Sequence, residues 1–183
     1  MQNITQDNIK EMDNGIHRMP LDKFVEREAN NYGGTHIIED LFDSFKRIDR
    51  DLSKYVIDVK VHMLMPGQYP CIPNLHYDMV PRDEKTGKQD FSRLPEKLED
   101  MYLWVSNAPL TEFFDANGRS HFIEPRTWTA FNQRMLHRGT VSTKHIWRLF
   151  MRVCPISILE PNPPEKWYRR HTQFNLDAEN LRW

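Results

Sequence analysis

Two imidazoles, one carboxylate and a following pair of arginines stand in an order that could assemble a metal centre with an anion-binding group beside it. His76 and Asp78 lie in Pro73-Asn74-Leu75-His76-Tyr77-Asp78, and His137 lies in Leu136-His137-Arg138-Gly139. Arg148 and Arg152 follow in Trp147-Arg148-Leu149-Phe150-Met151-Arg152. Two histidines and a carboxylate on one face of a divalent ion leave the remaining positions open for reactants. Residues i and i+2 of a strand point the same way, so His76 and Asp78 could bite one ion while Tyr77 faces away. The 59 residues from Asp78 to His137 are enough for several strands to circle a small barrel and return. His62, His121 and His145 show that histidine is not scarce here, so an exposed turn histidine is the rival reading of His137.

Arg148 and Arg152 are an even number apart, which puts both on one side of a strand with Phe150. Leu149, Met151 and Val153 take the other side and read as core. A partly buried arginine needs an anionic partner or it costs several kcal/mol. That partner is either an internal Asp or Glu, or a carboxylate ligand held by a two-pronged hydrogen bond.

The elements that must position these groups change character along the chain. Residues 1–55 read as helical. A short helix over 21–28 ends at Asn30, Asn31 and Gly33-Gly34, and Thr35 is placed to cap the next one. There Ile38, Leu41, Phe42, Phe45, Ile48 and Leu52 share one face, opposite Asp43, Lys46, Arg47 and Arg50. From Val56 the period becomes two. Residues 56–65 put Val59, Val61 and Met63 on one face and Lys60 and His62 on the other, before a Pro66-Gly67 turn. Further strands are expected over 101–106, 121–124, 127–132 and 146–155, and Asp115-Ala116-Asn117-Gly118 is a hairpin signal. Arg138-Gly139 reads as a turn. Short strands without intervening helices indicate an all-β sandwich or barrel. Residues 81–100 form a charged insertion just after the His76/Asp78 pair, placed to act as a lid or substrate loop. Its Arg82, Lys85, Lys88 and Arg93 either meet an anionic substrate or are simply solvated. Trp104, Trp128 and Phe150 are core or pocket wall. After Pro161, Pro163 and Pro164 the tail is polar and aromatic.

The bulk properties set limits. A chain of 183 residues, 39% hydrophobic and 28% charged, reads as one globular domain: a helical support (1–55), a β core (56–155) and a C-terminal extension (156–183). With 25 basic against 26 acidic residues there is no global positive field and no clear nucleic-acid signature. Cys71 and Cys154 make no disulfide framework and no zinc spacing, which favours a reducing, cytoplasmic setting. No signal-peptide pattern and no membrane-length apolar run is found.

Taken in order, His76-x-Asp78, a long gap, His137 and an arginine eleven residues on resemble the Fe(II)/2-oxoglutarate-dependent oxygenase superfamily. Met65-Pro66-Gly67 and the stretch from Phe131 to Gly139 resemble its local context, and the likeness covers residues 56–155. It implies a mainly β fold: a double-stranded β-helix (jelly-roll) core with N-terminal helices packed on it. It also implies a dioxygenase in which His76, Asp78 and His137 hold iron and carry the catalysis. 2-Oxoglutarate and O2 would be consumed and an organic substrate hydroxylated. Arg148, or else Arg152, would clamp the cosubstrate, with Tyr69, Tyr102 and Asn107 as candidates for a second contact. Proline in Gln68-Tyr69-Pro70-Cys71-Ile72-Pro73 departs from a plain strand into the motif. Two other readings stay open: a cupin-type metal protein with non-oxygenase chemistry, and a non-catalytic β-barrel binding module.

Overall fold

The computed structural model describes residues 4–46 and 48–159, and the backbone of 168–170. Two antiparallel sheets dominate it. Along the chain the strands are β1 (Gly15–Pro20), β2 (Tyr55–Leu64), β3 (Met101–Val105), β4 (Thr111–Phe114), β5 (Ser120–Phe122), β6 (Thr129–Phe131), β7 (Leu136–Gly139), β8 (Ile146–Pro155) and β9 (Tyr168–Arg170). The large sheet has the order β6-β3-β8-β2-β1-β9 and the small one β5-β4-β7. A single bridge, His76 to His137, adds the His76 segment to the free edge of β7. The chain therefore passes back and forth between the sheets, and β2, the His76 segment and β3 to β8 form a double-stranded β-helix.

The alternation expected for β2 and β8 holds, and both faces are covered. Ile57, Val59, Val61, Leu149, Met151 and Val153 join a core shared with Leu21, Phe24, Ile38 and Leu41 from the N-terminal region. The opposite face looks into the β-helix, where Val56, Leu103, Val105, Phe113, Phe131 and Cys154 form a second core. Trp104 and Trp128 belong to the first core, and the Trp128 indole donates to the Ile37 carbonyl at 2.7 Å. The Asp115–Gly118 hairpin joins β4 to β5, and Gly118 has the positive φ of 76° that such a turn asks of glycine.

The N-terminal region is not wholly helical. Gly15–Pro20 is a strand, paired with β2 along its full length. Its residues have weak strand propensity, and the long edge of β2 recruits them. Around it sit three short helices, α1 (Gln6–Lys10), α2 (Leu21–Lys23) and α3 (His36–Ser44). The helix expected over 21–28 is α-helical only to Lys23, then passes through a π turn and a 3₁₀ turn to Gly33. Thr35 precedes α3 without a capping hydrogen bond, and α3 stops at Ser44, short of Ile48 and Leu52. Arg47 and the tail from 160 to 167 and 171 to 183 lie outside the described residues. Arg138 and Gly139 are strand residues of β7 rather than a turn. No helix among the described residues is long and apolar enough to cross a membrane.

Candidate metal centre

His76 and His137 are direct cross-strand partners. Each backbone N–H donates to the other's carbonyl, at 2.9 and 3.0 Å. This exchange brings together two imidazoles 61 residues apart in sequence, with ring centroids 4.4 Å apart. Gly139 lets the preceding segment reach β7. A Cβ there would sit 2.8 Å from the Cys71 carbonyl oxygen and 2.9 Å from its sulfur.

The two rings are held in one way. Nδ1 of His76 lies 2.8 Å from the Asn74 carbonyl oxygen, and Nδ1 of His137 lies 3.0 Å from that of Met135. A carbonyl only accepts, so each Nδ1 carries the hydrogen and each neutral ring keeps its lone pair on Nε2. Burial, and then the neighbouring His137, push the His76 pKa down and favour that neutral form. The Nε2 atoms converge on Asp78, His76 at 3.8 Å from Oδ1 and His137 at 3.6 Å from Oδ2. One donor atom from each of the three lies within 4.8 Å of the others. Ligands about 2.1 Å from one ion at right angles stand about 3 Å apart, so the Nε2–carboxylate distances of 3.8 and 3.6 Å would close by less than about 1 Å on coordination. The donor set, two imidazoles and a carboxylate, suits a divalent transition metal.

Asp78 does not sit in a strand. It lies in a bend, followed by Met79 at φ 55°. Burial alone would raise its carboxyl pKa. The Arg152 guanidinium and the two imidazoles outweigh burial and hold it well below the usual carboxylate range. Arg152 donates from Nη1 to Asp78 Oδ2 and from Nη2 to Asp58 Oδ2, the latter at 2.7 Å.

A cavity of about 260 Å³ opens beside the cluster. Ile72, Leu103, Phe131 and Phe150 give it apolar wall; Lys60 and Thr111 give it polar wall. Arg148 lies just behind. It is 1% exposed, it donates from Nη2 to Thr111 Oγ1 at 3.2 Å, and its guanidinium carbon is 5.6 Å from the Phe150 ring centroid. Its Nε has no hydrogen-bond partner, and no salt bridge to it is found among the described residues. Burial pulls its pKa down to about 10, so it remains charged at neutral pH.

The remaining expected contacts are elsewhere. Tyr102 alternates to the helix-packed face of β3, where its ring lies 5.0 Å from that of Phe45, so it does not reach the cavity. Asn107 donates to the Trp147 carbonyl at 2.9 Å and does not line the cavity; neither does Tyr69. The 81–100 segment does lie against the motif, with Gln89 donating to the Tyr77 carbonyl at 2.7 Å and Phe91 edge-on to Tyr77.

Four interior residues were not singled out from the sequence: Asp58, Lys60, His62 and Thr111. The first three are spaced by two along β2, so their common face was legible; that this face is interior was not. Lys60 Nζ donates to the Pro70 carbonyl at 2.6 Å. His62 is paired across the sheet with Arg148 and has neither ring nitrogen hydrogen-bonded. Burial, then the nearby Lys60 and Arg148 charges, keep it neutral.

The fold and this cluster together define a double-stranded β-helix protein with a His/Asp/His site that could hold a metal ion. No protein-family model and no curated protein sequence matches the chain. Among solved structures it is similar to a prolyl 4-hydroxylase from Phytophthora capsici, at 16% identity and TM-score 0.39, over 71% of this chain and 43% of that one. It is also similar to a cupin protein from Bacteroides fragilis, at 12% identity and TM-score 0.32, over 66% of this chain and 77% of that one. The chain thus spans less than half of the hydroxylase chain, and neither likeness assigns a reaction.

Proposed function

We propose that this protein is a non-haem iron oxygenase that couples 2-oxoglutarate decarboxylation to hydroxylation of an organic substrate. The observation that carries the reading is Arg148. It is a sealed positive charge that faces no carboxylate among the described residues, one hydroxyl away from a cavity ending at two imidazoles and a carboxylate. In this reading His76, Asp78 and His137 hold Fe(II). Arg148 and Thr111 receive the distal carboxylate of the oxo acid. Arg152 is already engaged by Asp58 and Asp78, which leaves Arg148 as the clamp.

When bound, iron supplies the activation of O2. The chain's own residues bind, orient and exclude. The carbonyls of Asn74 and Met135 fix the tautomer and aim of each imidazole. The Ile72, Leu103, Phe131 and Phe150 side chains keep the reacting end of the cavity dry. Residues 81–100, tied to Tyr77 through Gln89, would cover the substrate outside the cavity wall.

The test is an anaerobic titration of 2-oxoglutarate into Fe(II)-loaded protein. A weak visible charge-transfer band is expected, and Asp78→Ala should lose both iron and band. Full iron-dependent succinate release by His76→Ala or Asp78→Ala refutes the assignment. Arg148 does not itself line the cavity, which favours a second reading: a cupin-type protein that holds a divalent ion and uses no oxo acid. In that case iron binds and raises the melting temperature, while 2-oxoglutarate produces neither band nor further shift.

A further inference from the structure

Asp78 is the least anchored of the three ligands. Pairing with β7 ends at His76, and the chain then bends through Asp78 and Met79. The two imidazoles are each fixed by a carbonyl two residues upstream; Asp78 is fixed from the opposite sheet. Arg18, Asp58 and Arg152 are direct cross-strand partners on β1, β2 and β8, and they form a row of alternating charge that ends on the Asp78 carboxylate. Arg18 grips Asp58 with two hydrogen bonds, Nε to Oδ1 at 2.6 Å and Nη2 to Oδ2 at 2.8 Å. Asp58 in turn holds Arg152 through Nε at 3.1 Å and Nη2 at 2.7 Å, which leaves Nη1 for Asp78. Asp58 is 4% exposed, so the row is sealed from solvent at its middle.

We infer that Arg152 is a positioning residue that sets the metal affinity and geometry of the centre by orienting Asp78, with Arg18 and Asp58 as its brace. This rests on the metal centre proposed above. A guanidinium on one carboxylate oxygen fixes the carboxylate plane and aims the other oxygen, and this orientation outweighs the repulsion between the guanidinium and a cation. Sheet register supplies the precision that the bend at Asp78 lacks. An outer partner of this kind typically changes metal affinity about 10- to 100-fold.

The test uses the full chain without cosubstrate. Mn(II) binding is followed by the electron paramagnetic resonance of the free ion, and Co(II) geometry by visible absorption. Arg152→Gln should weaken Mn(II) about 10- to 100-fold and alter the Co(II) bands. Arg152→Lys should recover part of the affinity, because an ammonium can still donate to Asp78 but cannot hold Asp58 at the same time with a fork. Asp58→Asn, which touches no ligand, should weaken Mn(II) in the same direction. An Arg152→Gln protein that folds, binds Mn(II) as tightly as wild type and keeps the wild-type Co(II) spectrum overturns the inference. If that variant does not fold, wild-type affinity and spectrum in both Arg152→Lys and Asp58→Asn overturn it equally. A wild-type protein that binds neither ion overturns the metal centre itself, and this inference with it.

Discussion

Replacing Arg148 with methionine separates a ligand clamp from a structural arginine, because the two roles predict opposite signs. In the protein without cosubstrate the guanidinium is 1% exposed and faces no carboxylate among the described residues. Sealing such a charge costs several kcal/mol after relaxation. Against this stand one charged hydrogen bond to Thr111, worth about 1.5–3 kcal/mol, and the Phe150 face, worth about 1–2 kcal/mol. Arg148→Met removes all three terms. The free protein should therefore be unchanged or stabilised by up to about 2 kcal/mol, a melting-temperature rise of about 0–8 °C for a chain of this size. Binding moves the other way. Losing a charge-assisted contact to carboxylate, about 2–4 kcal/mol, weakens 2-oxoglutarate by about 30- to 1,000-fold. The assay is thermal melting with Mn(II), with and without 2-oxoglutarate. At one hundred times the wild-type Kd the cosubstrate should stabilise wild type by about 2.7 kcal/mol and the variant by less than about 1 kcal/mol. A variant that is destabilised by more than about 2 kcal/mol and still binds the cosubstrate at wild-type affinity would show the arginine to be structural.

Three further outcomes follow from the geometry. Burial pushes Lys60 down to about 8 from 10.5, so its cost to stability is fully present below about pH 8 and is relieved as pH rises towards 10.5, where the unfolded chain binds more protons. Urea unfolding of the metal-free protein should show that rise, and Lys60→Met should flatten it. Gly139→Ala puts a Cβ 2.8 Å from the Cys71 carbonyl oxygen, which should cost about 1–3 kcal/mol in denaturant unfolding and weaken Mn(II), since His137 is two residues away. Trp128→Phe leaves the Ile37 carbonyl without its donor and should cost about 1–3 kcal/mol, read from the urea midpoint.

What can be read without coordinates is what depends on near neighbours. The alternation of Leu149, Met151 and Val153 against Arg148, Phe150 and Arg152 marks β8 and its two faces, because side chains alternate on any strand. The Asp115–Gly118 hairpin is legible because its turn demands a positive φ near its end. The strand at Gly15–Pro20 is not legible, since Ile16 alone among its residues favours a strand and long-range pairing with β2 selects the rest.

The same division runs through the site. Residue type and order single out His76, Asp78, His137 and an arginine pair, because metal ligands and anion clamps draw on few side chains. Which arginine meets a carboxylate among the described residues is a matter of register: Arg152 falls opposite Asp58, whereas Arg148 falls opposite His62. Tyr102 loses its place as a contact because alternation on β3 turns it to the helices. Lys60 and His62 look like a wet strand face until a second sheet covers it. Local sequence sets which side chains share a face. Whether that face is core, water or cavity, and which charge meets which, depends on partners many residues away, and only the packed sheets decide it.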